Sequence, residues 1–171
     1  MKKLNLVLLT LFGTVVSIFA QREALPVYSA ATNDKAFIII VNAPENTEGF
    51  FVSRKLFKEK KYTLVTPSPI VPLIDPALVK PVLKEDYDWV KNSLRAEDDF
   101  DIVRRLQSDA GASAVLSLAS LNVAKIAGRL FVDGNVEKGK KYSYKISFID
   151  YAGKTTGEVE RIITIADKNP P

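Results

Sequence analysis

Hydrophobic patterning divides the chain into strand-like flanks and a helical middle. Ala36–Val41 reads AFIIIV, a β-branched run stopped by Asn42-Ala43-Pro44, and predicts a buried strand followed by a turn. A short strand is expected before it, around Leu25–Tyr28. Gly49–Phe57 predicts the next strand, Lys58-Glu59-Lys60 a hairpin tip, and Tyr62–Thr66 the returning strand. Strand signals resume at Arg129–Asp133. Lys141–Phe148 alternates strictly, with Tyr142, Tyr144, Ile146 and Phe148 at every second position, so all four belong to one face. Asp150–Lys154 predicts a turn and Glu158–Ile165 the last strand.

The middle has a different texture. Pro67, Pro69, Pro72, Pro76 and Pro81 lie close together, which disfavours both ladders and helices and predicts an extended crossing segment. Beyond it the apolar spacing becomes three and four. Tyr87, Val90 and Leu94 mark a helix in Lys84–Leu94, with Trp89 beside them, and Phe100, Val103 and Leu106 mark a second in Glu97–Ser108. Ala112–Ala127, rich in Ala, Leu and Ser and closed by Gly128, predicts a third. Its uncharged stretch is too short for a bilayer and is broken by serines, so a helix buried against a sheet is expected, its small residues allowing close approach.

The N-terminus carries an export pattern. Met1-Lys2-Lys3 is followed by Leu4–Ala20 without a charge and by small Ala20 before Gln21. At about 1.5 Å per residue this run reaches roughly 25 Å, short of the roughly 30 Å bilayer core, which favours a signal cleaved after Ala20 over a retained anchor. The segment resembles signals of Bacteroidota-like Gram-negative bacteria, where Ala-Gln is a common junction, and the absence of Cys argues against a lipoprotein. The expected location is exported: periplasm, cell surface or secreted.

Val136-Glu137-Lys138-Gly139-Lys140-Lys141-Tyr142-Ser143-Tyr144-Lys145-Ile146 resembles the E–F corner and strand F of a fibronectin type III domain, with Val136, Gly139, Tyr142, Tyr144 and Ile146 in register and Lys138 in place of the usual proline. The resemblance implies that Tyr142 is the tyrosine-corner residue, its hydroxyl bonded to upstream backbone. Phe148–Gly153 resembles the F–G turn, Gly49–Arg54 strand C, and the run ending at Val41 strand B, with Val41 standing in for the family's tryptophan. The implied fold is mainly β: a fibronectin type III-like (immunoglobulin-like) sandwich with a helical insertion of about three helices between the strand after C and the strand before F. The divisions are 1–20 signal peptide, 21–66 and 128–167 sandwich, 67–127 Pro-rich crossing and insertion, and 168–171 tail or linker. The two sandwich pieces total about 90 residues, the usual size of such a domain.

Composition narrows the chemistry. With no Cys and no His among 171 residues, thiol nucleophiles, Ser-His-Asp triads, the usual zinc ligand sets and disulfides are excluded. The 24 Lys and Arg exceed the 20 Asp and Glu by only 4, and Lys2 and Lys3 leave with the signal, so nucleic acid is not an expected partner. Glu97-Asp98-Asp99-Phe100-Asp101 reads as acids complementing a helix N-terminus rather than a calcium loop, because the spaced ligands and glycine of an EF-hand are missing. The pairs Asp86/Asp88 and Asp75/Glu85 have no spacing that sets two acids across a glycosidase cleft. The sequence therefore predicts a non-catalytic module without a cofactor or metal, and with no membrane span once the signal is removed.

Two groups of residues are candidates for contact. Trp89 and Tyr87 are expected to pack the insertion onto the sandwich, or alternatively to stack on sugar. Arg54, Lys55, Lys58, Lys60 and Lys61 are expected to meet Lys138, Lys140 and Lys141 in space, either as a solvated hairpin or as a patch for anionic polysaccharide or lipid headgroups. The expected role is binding or assembly through protein–protein contacts with another envelope or surface protein. The alternatives are a carbohydrate-binding accessory module of a polysaccharide-processing system, or the N-terminal module of a longer exported enzyme, which the Asn169-Pro170-Pro171 ending permits.

Overall fold

The computed structural model of the chain describes residues 26–167. The predicted signal at 1–20, Leu25 of the first predicted strand and the tail at 168–171 lie outside the described residues. Strands β1 (Val27–Ala31), β2 (Ala36–Ile40) and β5 (Leu130–Asp133) form one antiparallel sheet in the order β1-β2-β5. Strands β3 (Gly49–Leu56), β4 (Thr63–Leu64), β6 (Lys141–Ile149) and β7 (Thr155–Thr164) form the other, in the order β4-β3-β6-β7. These are the A-B-E and C′-C-F-G sheets of a fibronectin type III-like sandwich, and this strand order and register carry the fold assignment.

The core follows from the two-residue period. Tyr142, Tyr144, Ile146 and Phe148 are all buried on the inner face of β6, opposite Phe50 and Val52 of β3 and across from Ile38, Ile40 and Phe131. Phe131 meets Tyr144 edge-on at 6.3 Å between centroids, a pair that joins the two sheets. Each such side chain contributes roughly 1.5–3 kcal/mol by leaving water. Val41 does not fill the tryptophan position: β2 ends at Ile40, Val41 is half-buried, and the core positions are Ile38 and Ile40. One residue of parity separates the two readings.

The insertion lies between β4 and β5 and builds its own hydrophobic core from residues including Val79, Leu83, Val90, Ile102, Leu106, Val123 and Ile126. Five α-helices make it: α1 (Val79–Leu83), α2 (Tyr87–Leu94), α3 (Asp99–Ser108), α4 (Ala110–Ala119) and α5 (Leu121–Ile126). Two departures from the three predicted helices have local causes. The Pro-rich segment is not extended throughout, because Asp75 accepts the Ala77 N–H at 3.0 Å and starts a 3-10 turn with Pro76 at its first position. Pro81 is tolerated in the first turn of α1, where an N–H has no helical partner anyway. The predicted third helix is broken at Ser120, which is extended (ψ 126°) and whose Oγ accepts from the N–H groups of Asn122 and Val123.

The insertion joins the sandwich at a narrow neck. Ile70 bridges Phe50 at the start of β3, and Leu73 N–H donates to Ile126 C=O at 2.8 Å. Gly128, at φ +63°, lies so close to the backbone of Val71 and Pro72 that a Cβ has no room. The next residue, Arg129, donates to the carbonyls of Ile40 (2.9 Å) and Val41 (3.0 Å) and to Ser113 Oγ (3.0 Å), tying α4 to the end of β2. Burial lowers the pKa of this guanidinium, which has no carboxylate partner among the described residues. The insertion thus occupies one end of the sandwich, and the β3–β4 turn lies at the other.

Candidate functional site

Glu137 N–H donates to the Tyr142 hydroxyl at 3.1 Å, and the Tyr142 ring is buried. Val136 packs against the sandwich core, and Gly139 adopts φ +69°, which a side chain rarely allows. Arg54 corrects the sequence reading. Grouped there with exposed lysines, it shares the inward phase of Val52 and Leu56, and its Nη1 donates to Asp133 Oδ2 and to Asn135 C=O, each at 2.6 Å. Asp133, 5% exposed, also accepts from the Tyr144 hydroxyl at 3.0 Å and from Asn135 N–H at 2.9 Å. Burial opposes the Arg54 charge, the Asp133 carboxylate more than offsets this, and the pKa of Arg54 is raised. Tyr144 is pushed above its usual range, first by burial and then by the carboxylate. This network locks β3 and β6 to β5 across the sandwich.

The other basic residues lie on the surface. Phe57 N–H donates to Lys141 C=O at 2.9 Å, which seats the β3–β4 turn beside the start of β6. That turn carries Lys58, Lys60 and Lys61, all exposed, and the adjoining β5–β6 turn carries Lys138 and Lys140, also exposed. Tyr62 lies back over the outer sheet face, with its hydroxyl 2.7 Å from Ser143 Oγ. Lys55 Nζ and Lys145 Nζ sit 4.6 and 5.6 Å from the Tyr62 ring centroid, and Lys141 Nζ sits 4.2 Å from that of Phe57. Lys145 also meets Glu158 at 3.4 Å, and the pKa of Glu158 is lowered, chiefly by the hydrogen bond from Ser147 and then by this lysine. Tyr62, Phe57 and Lys145 were not identified from sequence as parts of this surface. The available signal was period two: Lys55, Lys141 and Lys145 all fall in the outward phase.

In the insertion, α4 leaves part of its apolar surface outside. Ser113, Ala114 and Ser117 form its buried face, while Val115 (67% exposed) and Leu118 (48%) face solvent. Among the described residues Ser117 Oγ has no hydrogen-bond partner. Ser113 meets the sandwich through Arg129, and of the large apolar residues Leu116 packs against the insertion core while Val115 and Leu118 remain outside. Trp89 is 42% exposed and belongs to neither core, so it does not pack the insertion onto the sandwich; Arg129 and α4 serve that purpose. Tyr87 is half-buried and donates to Asp99 Oδ1 at 2.6 Å, with Lys80 Nζ 5.2 Å from its ring. The hydrogen bond to Asp99 is the main cause of a raised Tyr87 pKa. Separated by two residues on one helix, Trp89 and Tyr87 do not share a face.

The acids are engaged in local structure. Asp98 caps α3 by accepting from Asp101 N–H at 2.8 Å. Asp101 binds Arg105 at 2.8 Å, Arg104 and the Glu97 N–H, and the two arginines, Arg105 first, hold its pKa down to about 2. Asp86 accepts from Ser120 Oγ at 2.6 Å and Asn122 Nδ2 at 3.0 Å, pinning the break between α4 and α5.

No protein-family model and no curated protein matches the sequence. Among solved structures, the chain is similar to an Fn3-like protein from Clostridium thermocellum, with a TM-score of 0.40 and 14% identity over 88% of this chain and 100% of that one.

Proposed function

We propose that the protein is an exported, non-catalytic binding module that works by protein–protein contact at the cell envelope or surface, with the insertion presenting the contact face. The observation that carries this reading is the apolar pair Val115 and Leu118 that helix α4 leaves exposed. A helix normally turns its apolar stripe to the core and its serines to water. Here Ser113, Ala114 and Ser117 are buried and Leu116 joins the insertion core, while Val115 and Leu118 are left outside with no charged side chain between Ala110 and Ala124. Exposed apolar patches of this kind mark interaction sites. The export pattern at 1–20 supports a partner outside the cytoplasm.

A photo-crosslinking residue placed in the source cell at Val115 or Leu118, with Tyr151 as the control position, tests the contact. A discrete adduct from the first two positions and none from the third is expected; equal labelling at all three, or none, refutes it. Sequencing the N-terminus of the protein recovered outside the cytoplasm tests export. Gln21 is the expected first residue, and an uncleaved cytoplasmic protein would overturn this part.

A further inference from the structure

We propose that the outer face of the β4-β3-β6-β7 sheet, at the end away from the insertion, binds an anionic polysaccharide bearing a carboxylate or sulfate on its repeating units. The first argument is spacing. Lys141 and Lys145 lie four residues apart on β6, about 13 Å along the strand. Lys55 on β3 is paired opposite Ser143, midway between them and about 5 Å to the side. The three ammonium groups thus form a zigzag along the sheet, and Lys58, Lys60, Lys61, Lys138 and Lys140 continue it past the strand ends. Such a row suits a linear polymer whose charges recur at regular intervals.

The second argument is that the charge is available and held in place. Among the described residues only Lys145 of these eight lysines has a carboxylate within ion-pair distance, Glu158 at 3.4 Å. Glu59, the acid inside the turn, directs its Oε2 to the Leu56 N–H at 3.2 Å. The rings of Tyr62 and Phe57 hold three lysine side chains against the sheet, which reduces the rotamer freedom lost on binding.

The same rings decide between classes of partner. A bilayer surface calls for apolar side chains that can enter the headgroup region, and single-stranded nucleic acid calls for open aromatic faces on which bases stack. Tyr62 is half-buried, with its hydroxyl at Ser143 and two ammonium groups at its ring, and Phe57 lies under Lys141. The exposed apolar residues Leu64 and Ile162 stand singly on β4 and β7, separated by the lysine-bearing strands β3 and β6, so the face offers cations in a row rather than a continuous apolar stripe or a stacking platform. This surface is separate from α4, so either proposal can fail alone.

The test measures binding of the full chain to polygalacturonate by affinity electrophoresis and calorimetry, with dextran as the neutral control. Binding of polygalacturonate and not dextran is expected, weakening at least tenfold between roughly 0.05 and 0.5 M salt as screening shortens. Lys55→Gln/Lys141→Gln/Lys145→Gln should weaken it by roughly tenfold or more. Lys84→Gln/Lys91→Gln/Lys125→Gln, equal in charge but on the insertion, should leave it within about twofold. Far-UV circular dichroism checks that both variants keep the fold. Absence of polygalacturonate binding, equal losses in the two variants, or tighter binding to phosphatidylglycerol–phosphatidylcholine vesicles would each overturn the proposal. Val115→Glu and Leu118→Glu should leave polymer binding unchanged and so separate it from the contact at α4.

Discussion

Replacing Arg54 by Met strands a carboxylate inside the sandwich. Asp133 is 5% exposed and has three donors: Arg54 Nη1 at 2.6 Å, the Tyr144 hydroxyl at 3.0 Å and Asn135 N–H at 2.9 Å. The substitution removes the one positive partner among the described residues and keeps two neutral donors, so the full desolvation penalty is not expected. Breaking a buried pair from one side costs about 3–5 kcal/mol, and the two remaining donors place this case near 3. With a urea m-value of about 1.5 kcal/mol/M, the unfolding midpoint should fall by about 2 M. The decisive comparison is the triple variant Arg54→Met/Asp133→Leu/Tyr144→Phe, which removes the buried charges and the buried hydroxyl that would lose its acceptor, and leaves the N–H of exposed Asn135 to water. Replacing a buried pair with apolar residues is often neutral or better, so the triple variant should regain most of the loss and lie within about 1 kcal/mol of the parent. Urea titrations at pH 7, followed by tyrosine fluorescence and far-UV circular dichroism, give both numbers. If Arg54→Met loses less than about 1 kcal/mol, or the triple variant is less stable than the single, the network is not the cross-sheet lock described above.

Three further outcomes can be checked with the same assay. Tyr142→Phe should cost about 1 kcal/mol by removing the acceptor of the Glu137 N–H, while the ring that carries the Arg54 guanidinium at 5.1 Å remains. Ser117→Ala should raise stability by about 1 kcal/mol, since it deletes a buried hydroxyl with no partner and improves helix propensity; a loss would mean that the hydroxyl is satisfied in solution. Asp101 has a folded-state pKa of about 2, below its ordinary 3.8, so its contribution is complete above about pH 4 and is lost as the pH falls through 2. Melting temperatures of Asp101→Asn should therefore be lower near neutrality and fall less steeply than the parent's between about pH 4 and 2; parallel curves would contradict this linkage.

The sandwich was legible where a pattern of period two met a turn with fixed backbone demands. Tyr142 to Phe148 gives the buried face of β6, and Gly139 with Tyr142 gives the corner, because left-handed φ and a hydroxyl in reach of upstream backbone are local requirements. Arg54 shows the same rule overlooked: Phe50, Val52, Arg54 and Leu56 share a phase, so its inward direction was readable, though its partner Asp133 on a distant strand was not. The break at Ser120 was masked because an Ala-, Leu- and Ser-rich run has high helix propensity on both sides, while the cap depends on one serine turning out of the helix. For the candidate surfaces, sequence supplied the lysines at the hairpin tip and the pair Trp89 and Tyr87. It did not supply Tyr62 folded back over Ser143, or the exposure of Val115 and Leu118 on α4, because both depend on which sheet face and which helix the chain later meets.

The neck at Gly128 makes the insertion invisible to the sandwich's own geometry. The chain leaves at Ile70 and returns at Gly128 with the two backbones touching, so the gap that must be closed is that of a tight turn, whatever lies between. Closure entropy rises only slowly with loop length, and here the intervening segment has a core of its own to offset it. In engineering terms the sandwich is a socket and the helical unit a cartridge. Another self-folding segment with adjacent ends should fit the same socket without shifting the register of a single strand, provided that a glycine is kept at the point of return.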